Sequence, residues 1–366
     1  MRKPPATLRS AAELVEAGLL PEAKKDAVDR IGATYAIGVT STITALIDRD
    51  DPRDPIARQF VPDLAELAGQ PDEMTDPTGD LLFSPVEGIV HRYPDRALLK
   101  LLHVCPVYCR FCFRRAVVGP NSPTHLSPQA LTRAIGYIAR QPEIWEVILT
   151  GGDPLTLSTR RLADIMTRLR TIDHVKILRL HTRVPIADPS KITAELAGLL
   201  RSSGKTVYVA LHANHPREFS EPARAGCARL IDAGIPMLSQ SVLLAGVNDD
   251  LETLTRLMRA FVEARIKPYY LHQLDPAPGT RHFRVPIERG RELMRQLRGR
   301  VSGLCQPHYM LEIPGGHGKS PIGPNYITRL AGEAYRIEDY KGRSHSYPLG
   351  ETSGMGRRSH GVSSEA

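Results

Sequence analysis

From residue 97 onward, short apolar runs alternate with longer segments of a different period. The runs are ALLKLLHV, EVILTGG, VKILRLHT, TVYVALH, PMLSQSVLL and KPYYLHQL. Between them lie stretches such as SPQALTRAIGYIAR, STRRLADIMTRLR and DLETLTRLMRAFVEAR, whose apolar residues recur every third or fourth position. Short continuous runs read as strands and the longer period as amphipathic helices. Regular strand–helix alternation predicts parallel βα units, and six of them predict an α/β barrel or partial barrel rather than a sandwich. In such a fold, chemistry collects where the strands end. Polar residues stand there: Cys105 after the first run, Gly151 and Gly152 after the second, His212 after the fourth and Asp275 after the sixth.

Outside this region the rhythm changes. Residues 10–50 carry apolar positions at helical spacing, whereas 51–95 are rich in Pro and Asp with little periodicity and read as an extended lead-in. The expected division is a helical N-terminal extension with its lead-in (1–90), a barrel (91–300), a C-terminal segment (301–344) and a disordered tail (345–366). The tail, rich in Gly and Ser, lacks any apolar period.

Composition narrows the class without deciding it. A chain of 366 residues, 42% hydrophobic and 24% charged, is ordinary for a globular enzyme. The net charge of +8 comes from scattered basic residues with no long run of like charge. It suits a basic surface with some anion-binding arginines, and nucleic acid is not an expected partner. No apolar run approaches the roughly 20 residues that cross a bilayer. The basic N-terminus is interrupted by Glu13 and Glu16 and does not read as a signal peptide. A reducing cytoplasm is the expected location, where clustered cysteines bind metal more often than they form disulfides.

The cysteines sharpen the picture. Three of the five, Cys105, Cys109 and Cys112, fall within HVCPVYCRFCFRR as C-x3-C-x2-C. Three thiolates can hold three corners of a [4Fe–4S] cube and leave the fourth iron open. A zinc site completed by His103, or plain buried thiols, are the other readings. Cys227 and Cys305 lie in apolar patterns and read as core residues.

A second dense segment is LEIPGGHGKSPIGPNY, residues 311–326. GHGKS invites comparison with a phosphate-binding P-loop, but the first glycine of that motif would have to be residue 313, which is Ile313. A flexible glycine loop carrying Lys319 is what remains.

Spacing of the three cysteines, followed by a strand ending in LTGGDPL, resembles the radical S-adenosylmethionine (SAM) enzymes. HRYPDR, CPVYCRFCFRR, GGDPL, HANHP, SQSVLLAGVND, HFRVP and PGGHGKSPIGPNY resemble, in that order, segments of the lysine 2,3-aminomutase family. The similarity runs from about residue 40 to about 340. It implies a radical SAM partial (βα)6 barrel holding a [4Fe–4S] cluster, SAM and pyridoxal 5'-phosphate (PLP).

That resemblance implies roles by position. Cys105, Cys109 and Cys112 ligate the cluster, and Gly151, Gly152 and Asp153 lie in the SAM-binding turn. Lys319 matches the PLP-linked lysine, which is wanted on a mobile glycine loop. Arg92 and Arg96 match residues near the PLP phosphate. Tyr93 matches one against its ring, with a core aromatic as the other reading. Arg114 matches the clamp on the substrate carboxylate, while Asp275 and Glu312 match the carboxylates holding the ε-ammonium of L-lysine. At 312 the family carries Asp, and where it carries a tyrosine this chain has His272. Both departures resemble the branch that serves elongation factor P, whereas GGHGKSPIGPNY resembles the free-lysine enzymes. Homo-oligomerisation and a one-electron reductant such as flavodoxin or ferredoxin are further implications.

Overall fold

A computed structural model describes residues 7–119 and 123–348. They divide into two compact units, Met1–Gly323 and Pro324–Ala366. The larger contains a nine-stranded sheet in simple chain order: β1 (Ile89–Tyr93), β2 (Arg96–Leu102), β3 (Glu146–Gly151), β4 (Ile177–Thr182), β5 (Thr206–His212), β6 (Met237–Val242), β7 (Lys267–His272), β8 (His308–Ile313) and β9 (Gly318–Pro321). Strands β2 to β8 are parallel, and antiparallel pairings add β1 at one edge and β9 at the other. This is the partial barrel that the alternation predicts.

Local chemistry explains its parts. In the helix Leu251–Glu263, Leu254, Leu257, Met258 and Phe261 are buried at one-turn spacing, and Asp250 caps the first turn by accepting from the Thr253 N–H at 2.8 Å. Helix Thr159–Arg170 repeats the scheme with Leu162, Ile165, Met166 and Leu169 inward and Ser158 as cap. In β3, Val147, Ile148 and Leu149 are all buried, as expected of a parallel strand covered on both faces.

The extension is helical where expected and packs on the barrel. Thr40 Oγ1 donates to the Ala187 carbonyl at 2.5 Å, and Arg58 donates to the carbonyls of Ala245 and His282, each at 2.9 Å. Two expectations change. The barrel unit continues to Gly323 rather than stopping at residue 300, because β8 pairs in parallel with β7 and β9 folds back on β8. In the second unit, β10 (Ile327–Arg329), β11 (Tyr335–Glu338) and β12 (Ser344–Tyr347) form an antiparallel sheet, so residues 345–347 of the expected tail are strand. The tail beyond Pro348 lies outside the described residues. Among the described residues, no helix is long and apolar enough to cross a membrane.

Candidate active site

At the C-terminal ends of the parallel strands lies a cavity of about 500 Å³. Its wall brings together Cys105, Cys109, Cys112, Arg114, Gly151, Gly152 and Asp153 from the β2 and β3 ends with Arg92, Tyr93, Arg96, Glu312 and Lys319. Of the residues to which the family resemblance gives a role in the site, all but Asp275 therefore face one space. Asp275 lies outside this wall but within electrostatic reach of Lys319 and Glu312.

The three cysteines are free thiols on the loop leaving β2. Burial pushes all three up, Cys109 to about 11, and Asp153 adds to the rise at Cys105. A thiolate there needs a cation to balance it. Beside them, Arg110 and Arg115 both donate to the buried Glu66; the Arg110 Nε bond is 2.9 Å. Glu66, from the lead-in, therefore holds the loop from behind. Burial raises its carboxyl, but Arg110 and Arg115 more than reverse this and leave it below the ordinary value.

Gly151 and Gly152 have a more local reason than ligand access. A Cβ on Gly152 would sit 2.2 Å from the Val104 carbonyl oxygen, and one on Gly151 would sit 2.4 Å from that of Leu102. Gly151 also has a φ of +114°, which L side chains avoid. The two glycines let β3 end directly against the cysteine loop. Asp153 is equally committed: Oδ1 accepts from Thr182 Oγ1 at 2.7 Å and Leu155 N at 3.0 Å, and Oδ2 from Arg183 N at 2.7 Å. It ties β3 to β4, so its carboxylate is already fully engaged with the protein.

Lys319 sits on a strand, not on a mobile loop. The glycine loop is the turn joining β8 to β9, and Lys319 lies directly across from Glu312 in that hairpin. Cross-strand pairing is why a carboxylate seven positions earlier meets the lysine: Glu312 accepts from Lys319 Nζ and also from Arg92. Gly315, Gly316 and Gly318 have φ near +85° to +88°, which the tight turn requires. Tyr93 supports the hairpin by accepting from the Lys319 N–H at 2.8 Å. Arg96 lies over the Tyr93 ring at 4.0 Å and pairs with Asp95 at 2.7 Å.

Arg114 donates through Nε and Nη2 to one oxygen of Asp80, at 3.0 and 2.9 Å, and through Nη1 to Thr150 Oγ1 at 3.3 Å. Asp275 accepts no hydrogen bond at its carboxylate among the described residues. Burial raises its carboxyl to about 7, Lys319 pulls it down and Glu312 pushes it up.

Sequence reasoning missed Asp80, His181 and Gln240. His181 and His212 face each other with ring centroids 5.9 Å apart, and Gln240 Nε2 lies 3.4 Å from His181 Nε2. All three residues line the cavity, and burial drives both imidazoles down, His212 to about 3, so they stay neutral. Polar residues ending otherwise apolar strands were the available signal for His181 and Gln240. Nothing local marks Asp80.

Comparison with known proteins accounts for this arrangement. Residues 99–258 match the model of the radical SAM superfamily. The chain is 37% identical over 337 residues to the L-lysine 2,3-aminomutase of Clostridium subterminale, covering 92% of this chain and 80% of that protein. It is 38% identical over 329 residues to the L-lysine 2,3-aminomutase of Acetoanaerobium sticklandii, covering 90% and 79%.

The chain belongs to the L-lysine 2,3-aminomutase family.

A glutamate 2,3-aminomutase of Clostridioides difficile is 34% identical over 324 residues, 88% of this chain and 76% of that protein. Family members of different substrate are thus nearly as similar, and the choice between them falls to the site. The aminomutase family carries a [4Fe–4S] cluster, SAM and PLP, and the residues present fit them. Three half-buried free thiols on one loop are the donor set that three irons of such a cluster require. The cavity of about 500 Å³ is of the size that takes small-molecule ligands, and Lys319 offers a primary amine beside a carboxylate.

Proposed function

We propose that this protein moves the amino group of L-lysine from C2 to C3, giving β-lysine. The observation that carries this reading is the charge layout around one cavity: the Arg114 guanidinium and the Glu312–Lys319 pair line it, and Asp275, outside the wall, is within electrostatic reach of both Lys319 and Glu312. When bound, the cluster with SAM supplies a hydrogen-abstracting radical, and PLP supplies a conjugated ring to carry the migrating nitrogen.

The chain's own residues then have separable tasks. Cys105, Cys109 and Cys112 would hold the cluster. Arg114 binds the α-carboxylate, for which a planar guanidinium is suited. Lys319 would hold PLP through its primary amine. Arg92, Arg96 and Tyr93 position the cofactor from β1 and β2. Glu312 pairs with Arg92 and Lys319 at one end of the site, where Asp275 adds a second carboxylate. That end favours an ammonium and repels a second carboxylate, which disfavours glutamate.

His272 and Glu312 favour a second assignment of the same chemistry, the supply of β-lysine for elongation factor P. A flavodoxin or ferredoxin as reductant, a cytoplasmic location and a homo-oligomeric state complete the proposal. Anaerobic protein with dithionite, SAM, PLP and L-lysine should yield β-lysine and show a borohydride-reducible visible band that Lys319→Ala lacks. Protein that holds iron and sulfide but never develops that band would sink the reading. Slow formation of the (R) isomer points to elongation factor P, and fast formation of the (S) isomer to free β-lysine.

A further inference from the structure

Asp80 comes from the lead-in loop, outside every motif of the barrel, yet it is almost fully buried against the cavity wall at 7% exposure. Three cations converge on its carboxylate. Arg114 makes two bonds to Oδ2, Lys100 Nζ stands 4.0 Å from the same oxygen, and Arg92 Nη2 stands 3.5 Å from Oδ1. Thr78 Oγ1 donates to Oδ1 at 3.1 Å. The loop itself is fixed: Asp76 accepts from the N–H groups of Asp80 and Leu81 at 2.9 and 2.8 Å, and Ser84 Oγ donates to the Asp80 carbonyl at 2.6 Å.

We infer that Asp80 is the positioning residue of the substrate-carboxylate site: it fixes which edge of the Arg114 guanidinium faces the cavity. This rests on Arg114 being the carboxylate clamp. A guanidinium has five N–H hydrogens. Asp80 takes the Nε hydrogen and one of Nη2, and Thr150 takes one of Nη1. One hydrogen on each terminal nitrogen stays uncommitted, and a carboxylate arriving from the cavity can take them together. Asp80 also holds apart two like charges. Lys100 and Arg114 repel each other, and without the carboxylate between them Arg114 would turn away from Lys100 and lose its register.

The same loop touches the lysine hairpin. A Cβ on Gly79 would lie 2.8 Å from the Gly316 Cα, and Gly315 N donates to the Pro77 carbonyl at 3.2 Å. One short segment therefore places both the carboxylate clamp and the turn leading to Lys319.

The test uses holoenzyme without reductant, so that binding is read from the cofactor absorbance without turnover. Two ligands are titrated: L-lysine, and 1,5-diaminopentane, which lacks the carboxylate. Asp80→Asn should weaken L-lysine by about ten- to a hundredfold and leave 1,5-diaminopentane within about twofold. Asp80→Glu, which restores the charge one methylene further out, should recover most of the loss. In turnover the cost should fall on KM more than on kcat. Equal weakening of both ligands would mean that Asp80 only supports the fold, and unchanged or tighter lysine binding would overturn the inference outright. Arg114→Lys separates the two claims. If it weakens lysine while Asp80→Asn does not, the clamp stands and Asp80 fails; if it leaves lysine unchanged, the clamp itself fails. Should Asp80→Asn not fold, Asp80→Glu carries the test: lysine must weaken several-fold with 1,5-diaminopentane unmoved.

Discussion

Replacing Asp275 with asparagine should make the cofactor-free protein more stable and lysine binding worse, both for the same reason. Burial lifts the Asp275 carboxyl from its ordinary 3.8 to about 7. Between those values the folded chain keeps a proton that the unfolded chain has released. Stability therefore falls as pH rises through this window and levels off above it. At about 1.4 kcal/mol per pH unit the full cost at pH 8 is roughly 4 kcal/mol. Asparagine carries no such cost, so the pH dependence of unfolding should flatten in the variant, with the gain largest near pH 8.

A substrate ammonium is what would repay this unmatched charge. Losing a charge-assisted partner costs about 1.5–3 kcal/mol, or roughly ten- to a hundredfold in affinity. Titrating non-reduced holoenzyme with L-lysine from pH 6 to 9 should show that deficit at pH 8. It should shrink toward pH 6, where the unaltered protein must first ionise Asp275 to bind. Norleucine, which has the chain without the ammonium, should bind the variant no worse. A lysine affinity within twofold of the unaltered protein at pH 8, or a deficit that grows toward acid, would refute Asp275 as the ammonium partner.

Other expectations are briefer. Gly152→Ala places a methyl 2.2 Å from the Val104 carbonyl oxygen; the cysteine loop must shift, and iron content after anaerobic reconstitution should fall well below one cluster per chain. Glu66→Gln leaves Arg110 and Arg115 buried without their counter-charge, a loss of about 3–5 kcal/mol in chemical unfolding. Because the Glu66 carboxyl lies below its ordinary 4.5 in the folded chain, its contribution is complete above that value and lost as pH falls through the lowered one. The unaltered protein should therefore lose this part of its stability in acid, and the variant should lack that acid-dependent step.

Much of this protein was set by sequence alone. Strand–helix alternation is enough to predict a parallel partial barrel, because a strand covered on both faces must be apolar throughout and a covering helix apolar on one side. The C-x3-C-x2-C spacing lets three thiolates on one loop hold three irons; a zinc site is also compatible with it, and the family resemblance chooses between them. Other features depend on partners far apart in the chain. Lys319 and Glu312 meet because β9 folds back on β8, a register that a glycine-rich stretch does not announce. Gly151 and Gly152 also meet a packing requirement that their motif does not reveal; the Leu102 and Val104 carbonyls leave no room for a Cβ. Asp153 has its oxygens taken by Thr182 at the end of β4, by Arg183 just beyond it and by Leu155. Glu66 and Asp80 lie in an aperiodic lead-in where one acidic residue resembles the next. Only packing of that lead-in against the barrel brings Glu66 to Arg110 and Arg115, and Asp80 to Arg114, because charge pairing of this kind follows distance in space and leaves no period in the chain.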